Sequence, residues 1–363
     1  MGIRRIIESG DHKKRQSKCR EGFFKSLVTI FASRHFRSVY VPSRSLQGVG
    51  LGVRGLLQVS LFFSVGWTSL SVALIQTDLR LELPSGLHCQ AYAWTSPALL
   101  ALTSQAQRQV PRILFAHGTG IYTVANEGYS ALNPLVEQGK AILLGFDKPG
   151  IESKGSEVGY SDEYPRHRQS DLLDCAEATL HWSEGDQKWS GPLILVGHSE
   201  GAEVLIRFAD RRLQTKSLPK ILGMFFSGTP LEPWKTRIAA SLARQEPAMK
   251  EAFRGAWEKG DEAFFLSPRV GSIPLPYLRA EASSVGLGES LHHLVEALPH
   301  TPFQLFHGEK DTRCRVEAVW KMKTSFASFD HFSVTTYPGV GHSLGAAFTE
   351  AIFQTIDELV STP

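Results

Sequence analysis

The sequence predicts an α/β protein: a mostly parallel sheet of eight strands with helices on both faces, interrupted by one long helical insertion. Three observations carry this. From Thr77 onward, short apolar or alternating runs take turns with amphipathic stretches of helical period. One join, "ILVGHSEGAEVLIRF" (Ile194–Phe208), passes from a strand-like run into a helix through Gly-His-Ser-Glu-Gly. And Leu231–His300 breaks the alternation, with helical patches and no convincing strand.

In order, "TDLRLEL" and "GLHCQAYAW" alternate and are joined by Pro84-Ser85-Gly86, which makes them a leading antiparallel hairpin. "RILFA" (Arg112–Ala116) is the next strand. "YSALNPLVEQG" reads as a helix closed by Gly139, and "AILLGFD" (Ala141–Asp147) as a buried strand. Gln169–Trp182 is helical in period and is followed by the short apolar strand Leu193–Val196. After it, Ala202, Leu205, Ile206 and Ala209 recur at i, i+3, i+4 and i+7, one face of a helix. "ILGMFF" (Ile221–Phe226) and "FQLFHG" from Phe303 are strands, and Val316–Ser325 is a helix. "FSVTTYP" is the last strand, and Ala346–Val360 is a closing helix with Phe348, Ile352, Ile356 and Leu359 on one face. An insertion as long as Leu231–His300 between two core strands reads as a helical cap over the carboxyl edge of the sheet, where parallel-sheet proteins bind ligands.

The chain has 363 residues and a net charge of only +3, with an ordinary apolar fraction, which excludes a disordered or strongly nucleic-acid-seeking protein. Residues 1–48 hold eleven Lys/Arg against three acids, a net of +8 out of +3, so the rest of the chain stands at −5. This arm accompanies no nucleic-acid-binding motif and reads as a solvated tail or targeting segment, with no nucleic-acid partner. Residues 49–76 form a second segment. Within it, Gly55–Ile75 is uncharged and contains the small-x-small pattern Ser71-Val72-Ala73, like the apolar region and cleavage site of a secretory signal. A single membrane span or a buried element of a cytosolic protein are the other readings. Export or membrane anchorage through residues 55–75 is the expectation, and cytoplasmic residence the alternative. Cys19, Cys89, Cys175 and Cys314 show no CxxC pair and no metal-ligand spacing.

The chemistry is concentrated in the loops after the strands of the body, residues 77–363. Ser199 lies between two glycines at a strand–helix join, a turn that pushes its hydroxyl out above the sheet edge. A serine hydroxyl needs a base, a carboxylate to orient that base, and N–H donors for the developing oxyanion. His342, in "YPGVGHSLG" after the last strand, is the candidate base among thirteen histidines. Asp311, in "FHGEKDTRC", is the candidate orienting acid, with Glu309 and Glu232 as rival carboxylates. In "FAHGTG", His117 and Gly118 turn the chain so that the Thr119 N–H, together with the Glu200 N–H, faces the oxyanion. The Glu200 side chain either recognises a polar group or points to solvent.

These motifs together resemble the α/β-hydrolase superfamily, in its capped esterase, lipase and serine-aminopeptidase-like branch. The resemblance rests on His117-Gly118, "DKPGIESKG" after the Asp147 strand, Gly197-His-Ser-Glu-Gly201, "HGEKD" at Asp311 and "GVGHSLG" at His342, over nearly the whole body. It implies Ser199 as nucleophile, Asp311 as acid and His342 as base. The chain departs from the pattern at Lys148-Pro149, where relatives often carry arginine, a departure expected to bear little on chemistry. The expected activity is hydrolysis of carboxylic esters or related acyl bonds through an acyl-enzyme. The expected partner is a small-molecule acyl substrate, with no cofactor and no metal. The alternatives are a serine peptidase of the aminopeptidase-like branch on the same three residues, or a non-catalytic binding module on the same fold.

Overall fold

The computed structural model describes residues 74–124, 131–154, 157–185, 187, 189–267, 270, 272–282, 286–343 and 345–361. The basic arm and the apolar stretch up to residue 73, with the small-x-small pattern and the export expectation they carry, lie outside the described residues. Among the described residues, no helix is long and apolar enough to cross a membrane.

Eight strands form one sheet: β1 (Ile75–Glu82), β2 (His88–Thr95), β3 (Arg112–Ala116), β4 (Ile142–Phe146), β7 (Leu193–His198), β8 (Ile221–Ser227), β9 (Phe303–Gly308) and β10 (Phe332–Tyr337). A separate two-stranded hairpin, β5 (Ile151–Lys154) and β6 (Glu157–Tyr160), follows β4. The sheet order is β1-β2-β4-β3-β7-β8-β9-β10. β2 is antiparallel to both its neighbours, and every other pairing is parallel. β1 begins two residues before the expected strand, with Ile75 and Gln76 paired to Thr95 and Trp94. The Pro84-Ser85-Gly86 turn closes on Leu83, with Gly86 at φ +76°.

The helices are α1 (Asn133–Glu137), α2 (Gln169–Gly185), α3 (Glu200–Gln214), α4 (Trp234–Ala243), α5 (Pro247–Lys259), α6 (Glu262–Leu266), α7 (Leu275–Ala282), α8 (Gly288–Ala297), α9 (Val316–Ser325) and α10 (Gly345–Ser361). Two single helical turns, Pro97–Leu100 and Ser104–Gln107, link β2 to β3.

Alternate residues of each central strand point to opposite faces, and both faces are apolar and covered. Leu114 and Ala116 of β3 pack with Leu172 and Cys175 of α2 and Leu205 of α3. Ile113 and Phe115 pack instead with Leu135 of α1 and with Phe348, Ile352 and Ile356 of α10, the face anticipated from the closing helix's period. The segment between β8 and β9 contains α4 to α8 and no strand among its described residues. Its last helix, α8, packs against α3 and buries Leu291, Leu294 and Val295, so it belongs to the layer of helices on the sheet.

Strand register places the loops that matter. The chain runs from β3 outward to β4, then crosses back over β3 to β7. The loops leaving β3 and β7 therefore emerge side by side where the crossovers diverge, the usual place for a ligand site in such sheets. Ala116 pairs with Gly197, His198 with Ser227, and Gly308 with Tyr337. Four loops, starting at residues 117, 199, 228 and 309, thus open at one edge, with the loop after β10 beside the last of them.

Candidate active site

Ser199 sits at φ +54°, ψ −123°, between the end of β7 and the first turn of α3. A residue other than glycine seldom adopts a positive φ, and the turn is held by the packing around it. A Cβ on Gly201 would lie 2.1 Å from the Ala116 carbonyl oxygen, and one on Gly197 would lie 2.7 Å from the Ala202 backbone. Both flanking glycines are therefore required by the approach of α3 to β3 and β7.

His342 Nε2 is 2.9 Å from Ser199 Oγ, and His342 Nδ1 is 2.7 Å from Asp311 Oδ2. An ionised carboxylate can only accept, so Nδ1 carries the ring proton and Nε2 accepts from the serine hydroxyl. Asp311 Oδ1 accepts the amides of Arg313 and Cys314 at 2.8 and 2.9 Å, which fixes the carboxylate plane and leaves Oδ2 for the imidazole. Burial pushes the Asp311 carboxyl up, but the hydrogen bond and charge of His342 and the two amides outweigh it and hold it below its usual range. The rival carboxylates are engaged elsewhere. Glu309 accepts from the Thr336 hydroxyl and Glu232 pairs with Arg315.

Gly118 passes so close to Ser199 that a Cβ on it would lie 3.1 Å from the serine Cβ. The Gly118 carbonyl accepts from His117 Nδ1 at 2.9 Å and from Lys148 Nζ at 2.6 Å. In a trans peptide the N–H of the next residue points the opposite way, so these two bonds fix the direction of the Thr119 N–H. Neither the Thr119 nor the Glu200 amide donates a hydrogen bond among the described residues. His117 is buried, which lowers it to about 3, and it acts here as a neutral donor.

Lys148, expected to bear little on chemistry, lies against the loop that carries Thr119. Its ammonium has three donors. Two reach Gly118 O and, at 3.1 Å, Gly120 O, and the ammonium forms an ion pair with the Glu200 carboxylate at 2.8 Å, with both charged side chains about 5 % exposed. The Glu200 side chain is thus turned inward, to Lys148, and not to solvent. Burial pushes its carboxyl up, but Lys148 and the Tyr277 hydroxyl of α7 hold it below its usual range. The preceding residue, Asp147, accepts the Val124 amide and the Tyr92 hydroxyl, both at 2.6 Å. Consecutive residues at the end of β4 therefore clamp both ends of the loop 117–124. A Lys after an Asp at a strand's end was the only sequence signal for this.

Sequence reading also missed two histidines beside His342. His198 bonds the Ser227 hydroxyl at 2.9 Å, with its ring 5.0 Å from that of His342; burial and then the His342 charge lower it to about 4. His307 bonds the Cys314 carbonyl and lies 3.5 Å from Asp311 Oδ2. Among the described residues, Asp311, Cys314 and His342 could together offer ligand atoms to a metal, within 4.8 Å of one another. Two of the three already bond each other, and burial pushes the Cys314 thiol up to about 12, so it is protonated at neutral pH.

A cavity of about 800 Å³ reaches Ser199 and Thr119 and extends beneath α4 and α5. Trp234 and Phe253 line it. Trp257, Phe264 and Phe265 instead pack on Phe253 and one another, with ring centroids 5.2–6.3 Å apart. The aromatic residues of the insertion therefore divide between lining and internal packing.

The chain resembles several solved structures at low identity. It covers 78 % of its length and 99 % of Est1E from Butyrivibrio proteoclasticus, at 15 % identity and a TM-score of 0.51. For the Pyrococcus furiosus esterase Pf2001 the figures are 85 %, 98 %, 14 % and 0.50. A puromycin-hydrolyzing peptidase of Mycobacterium tuberculosis matches at 14 % identity and a TM-score of 0.51, over 80 % of this chain and 39 % of that one. At such identities the likeness speaks for the fold alone. No curated protein matches the chain by sequence. The model of the alpha/beta hydrolase family matches residues 113–354, which takes in Ser199, Asp311 and His342. With that match over the larger part of its length, on an eight-stranded, mostly parallel sheet, this chain belongs to the α/β-hydrolase family.

Proposed function

We propose that the chain is a serine esterase that cleaves carboxylic esters through an acyl-enzyme on Ser199. The observation that carries this is the relay Asp311–His342–Ser199, with contacts of 2.7 and 2.9 Å, at the end of a cavity large enough for a small acyl substrate. His342 Nε2 takes the hydroxyl proton as Ser199 Oγ bonds to the ester carbonyl. The oxygen that becomes anionic faces the Thr119 and Glu200 amides, which have no other acceptor among the described residues. The C–O bond to the alcohol then breaks, and His342 returns the proton to the departing oxygen. Water repeats the sequence on the acyl-enzyme, releasing the acid and restoring Ser199. The segment α4–α7 acts as the cap over this site.

One observation favours an ester over the aminopeptidase alternative. A terminal aminopeptidase must neutralise its substrate's ammonium, and the described residues that line this cavity include three arginines and no Asp or Glu. Glu200, next to Ser199 in the chain, is committed to Lys148.

The test is labelling with a fluorophosphonate, which reacts with an activated serine. The adduct is expected on Ser199 by peptide mapping and is expected to vanish in Ser199→Ala, whose melting temperature stays close to that of the parent. Labelling that persists at another serine refutes the assignment.

A further inference from the structure

Resting on the esterase reading, we propose that the preferred substrates are anionic: esters with an apolar body and a carboxylate, sulfate or phosphate group set away from the scissile bond. The cavity wall mixes polar and apolar surface, and Trp234, Ile238, Leu242, Met249, Phe253 and Ile273 supply much of its apolar part. Among the described residues, its only charged lining residues are Arg237, Arg244 and Arg313.

Each guanidinium is differently placed. Arg237 lies over the Trp234 ring at 4.3 Å and shares the buried Glu203 with Arg207, yet its buried Nε has no partner among the described residues. A buried donor without an acceptor is costly and is relieved by a ligand that supplies one. Arg244 and Arg313 are exposed at the mouth. Arg244 holds the Thr312 carbonyl, and neither forms an ion pair with a carboxylate among the described residues. Arg313 is near enough to the reacting groups for its charge to bear on His198 and Cys314. A concave, partly dry wall that carries charge of one sign concentrates ligands of the other. Guanidinium also matches carboxylate and phosphate geometry in a way an ammonium does not. The same field repels a substrate with a free ammonium group.

The experiment compares three acyl probes of equal length: p-nitrophenyl caproate, mono-p-nitrophenyl adipate and p-nitrophenyl ε-aminocaproate. Phenyl caproate and p-sulfophenyl caproate place the charge on the alcohol side instead. At low salt, kcat/KM for the anionic member of at least one set is expected to exceed that of its neutral partner by about tenfold, with the cationic probe below both. In the doubly substituted Arg244→Gln/Arg313→Gln chain this ratio falls towards one, and Arg313→Glu lowers it further. About 1 M salt shrinks the ratio in the parent, because the screening length drops to about 3 Å. Equal turnover of neutral and anionic probes overturns the proposal and leaves the esterase reading standing, as does a preference that survives both the substitutions and the salt. No turnover of any probe, with Ser199 unlabelled, overturns both.

Discussion

Asp311→Asn is expected to lower kcat on a p-nitrophenyl ester by about 10³–10⁴-fold with little change in melting temperature. The asparagine oxygen can keep the two amides now held by Asp311 Oδ1, those of Arg313 and Cys314. Its NH₂ then occupies the place of Oδ2, 2.7 Å from His342 Nδ1. Two donors cannot face each other, so the imidazole shifts its proton to Nε2, the nitrogen that must accept from Ser199. The base is lost while the packing stays. Glu309→Gln and Glu232→Gln are expected to remain within about tenfold of the parent, since their partners, Thr336 and Arg315, lie outside the relay. A crippled Glu232→Gln, or an Asp311→Asn chain within about tenfold of the parent, contradicts the assignment. The pH behaviour follows from the sign of the Asp311 shift. Its carboxyl is held below the usual value, so its contribution to stability is present above the ordinary carboxylate pKa and is lost only as pH falls through the lower, folded value. Activity that declines near neutral pH therefore reports another group.

Lys148→Met is expected to reduce turnover by about 10²-fold or more and to lower the melting temperature as well. Methionine fills the space but supplies no donor, which leaves the Gly118 carbonyl with His117 alone, frees the Gly120 carbonyl and leaves Glu200 buried without its cation. Removing one partner of a buried pair costs about 3–5 kcal/mol, because the remaining charge stays uncompensated. Adding Glu200→Gln removes that charge, so the double substitution is expected to recover much of the melting temperature. It is not expected to recover turnover, since His117 alone then holds the Gly118 carbonyl and the Thr119 N–H is aimed by one bond where it had two. Thermal melts and kcat for the two variants separate these effects. If Lys148→Met keeps turnover within about threefold, the loop is held without it.

The sheet was legible because its signals are strong. "RILFA" and "FQLFHG" are observed as read, residue for residue, since buried parallel strands are short, apolar and sharply bounded. The β5–β6 hairpin was not legible: its strands are polar and largely exposed, so no apolar alternation marks them. Ser199, Asp311 and His342 could be picked out because each follows a strand within a Gly-rich or polar loop. Lys148, Tyr277 and His307 could not. Their positions matter through contacts with residues distant in sequence, Gly118, Glu200 and Cys314, and a single sequence carries no periodicity for such pairings. The division of Leu231–His300 was likewise invisible, because α8 has an ordinary amphipathic period and only its packing on α3 separates it from α4–α7.

The backbone at Ser199 sets endurance against chemistry at a single position. A serine at φ +54° is strained by about 1–3 kcal/mol, whereas glycine adopts that conformation freely and loses only part of the gain to its looser unfolded chain. Ser199→Gly is therefore expected to melt above both the parent and Ser199→Ala, which keeps a Cβ in the strained turn, and scanning calorimetry of the three chains checks this order. A variant library selected by heat alone would accordingly drift towards glycine at this position, enriching survivors that have given up the hydroxyl.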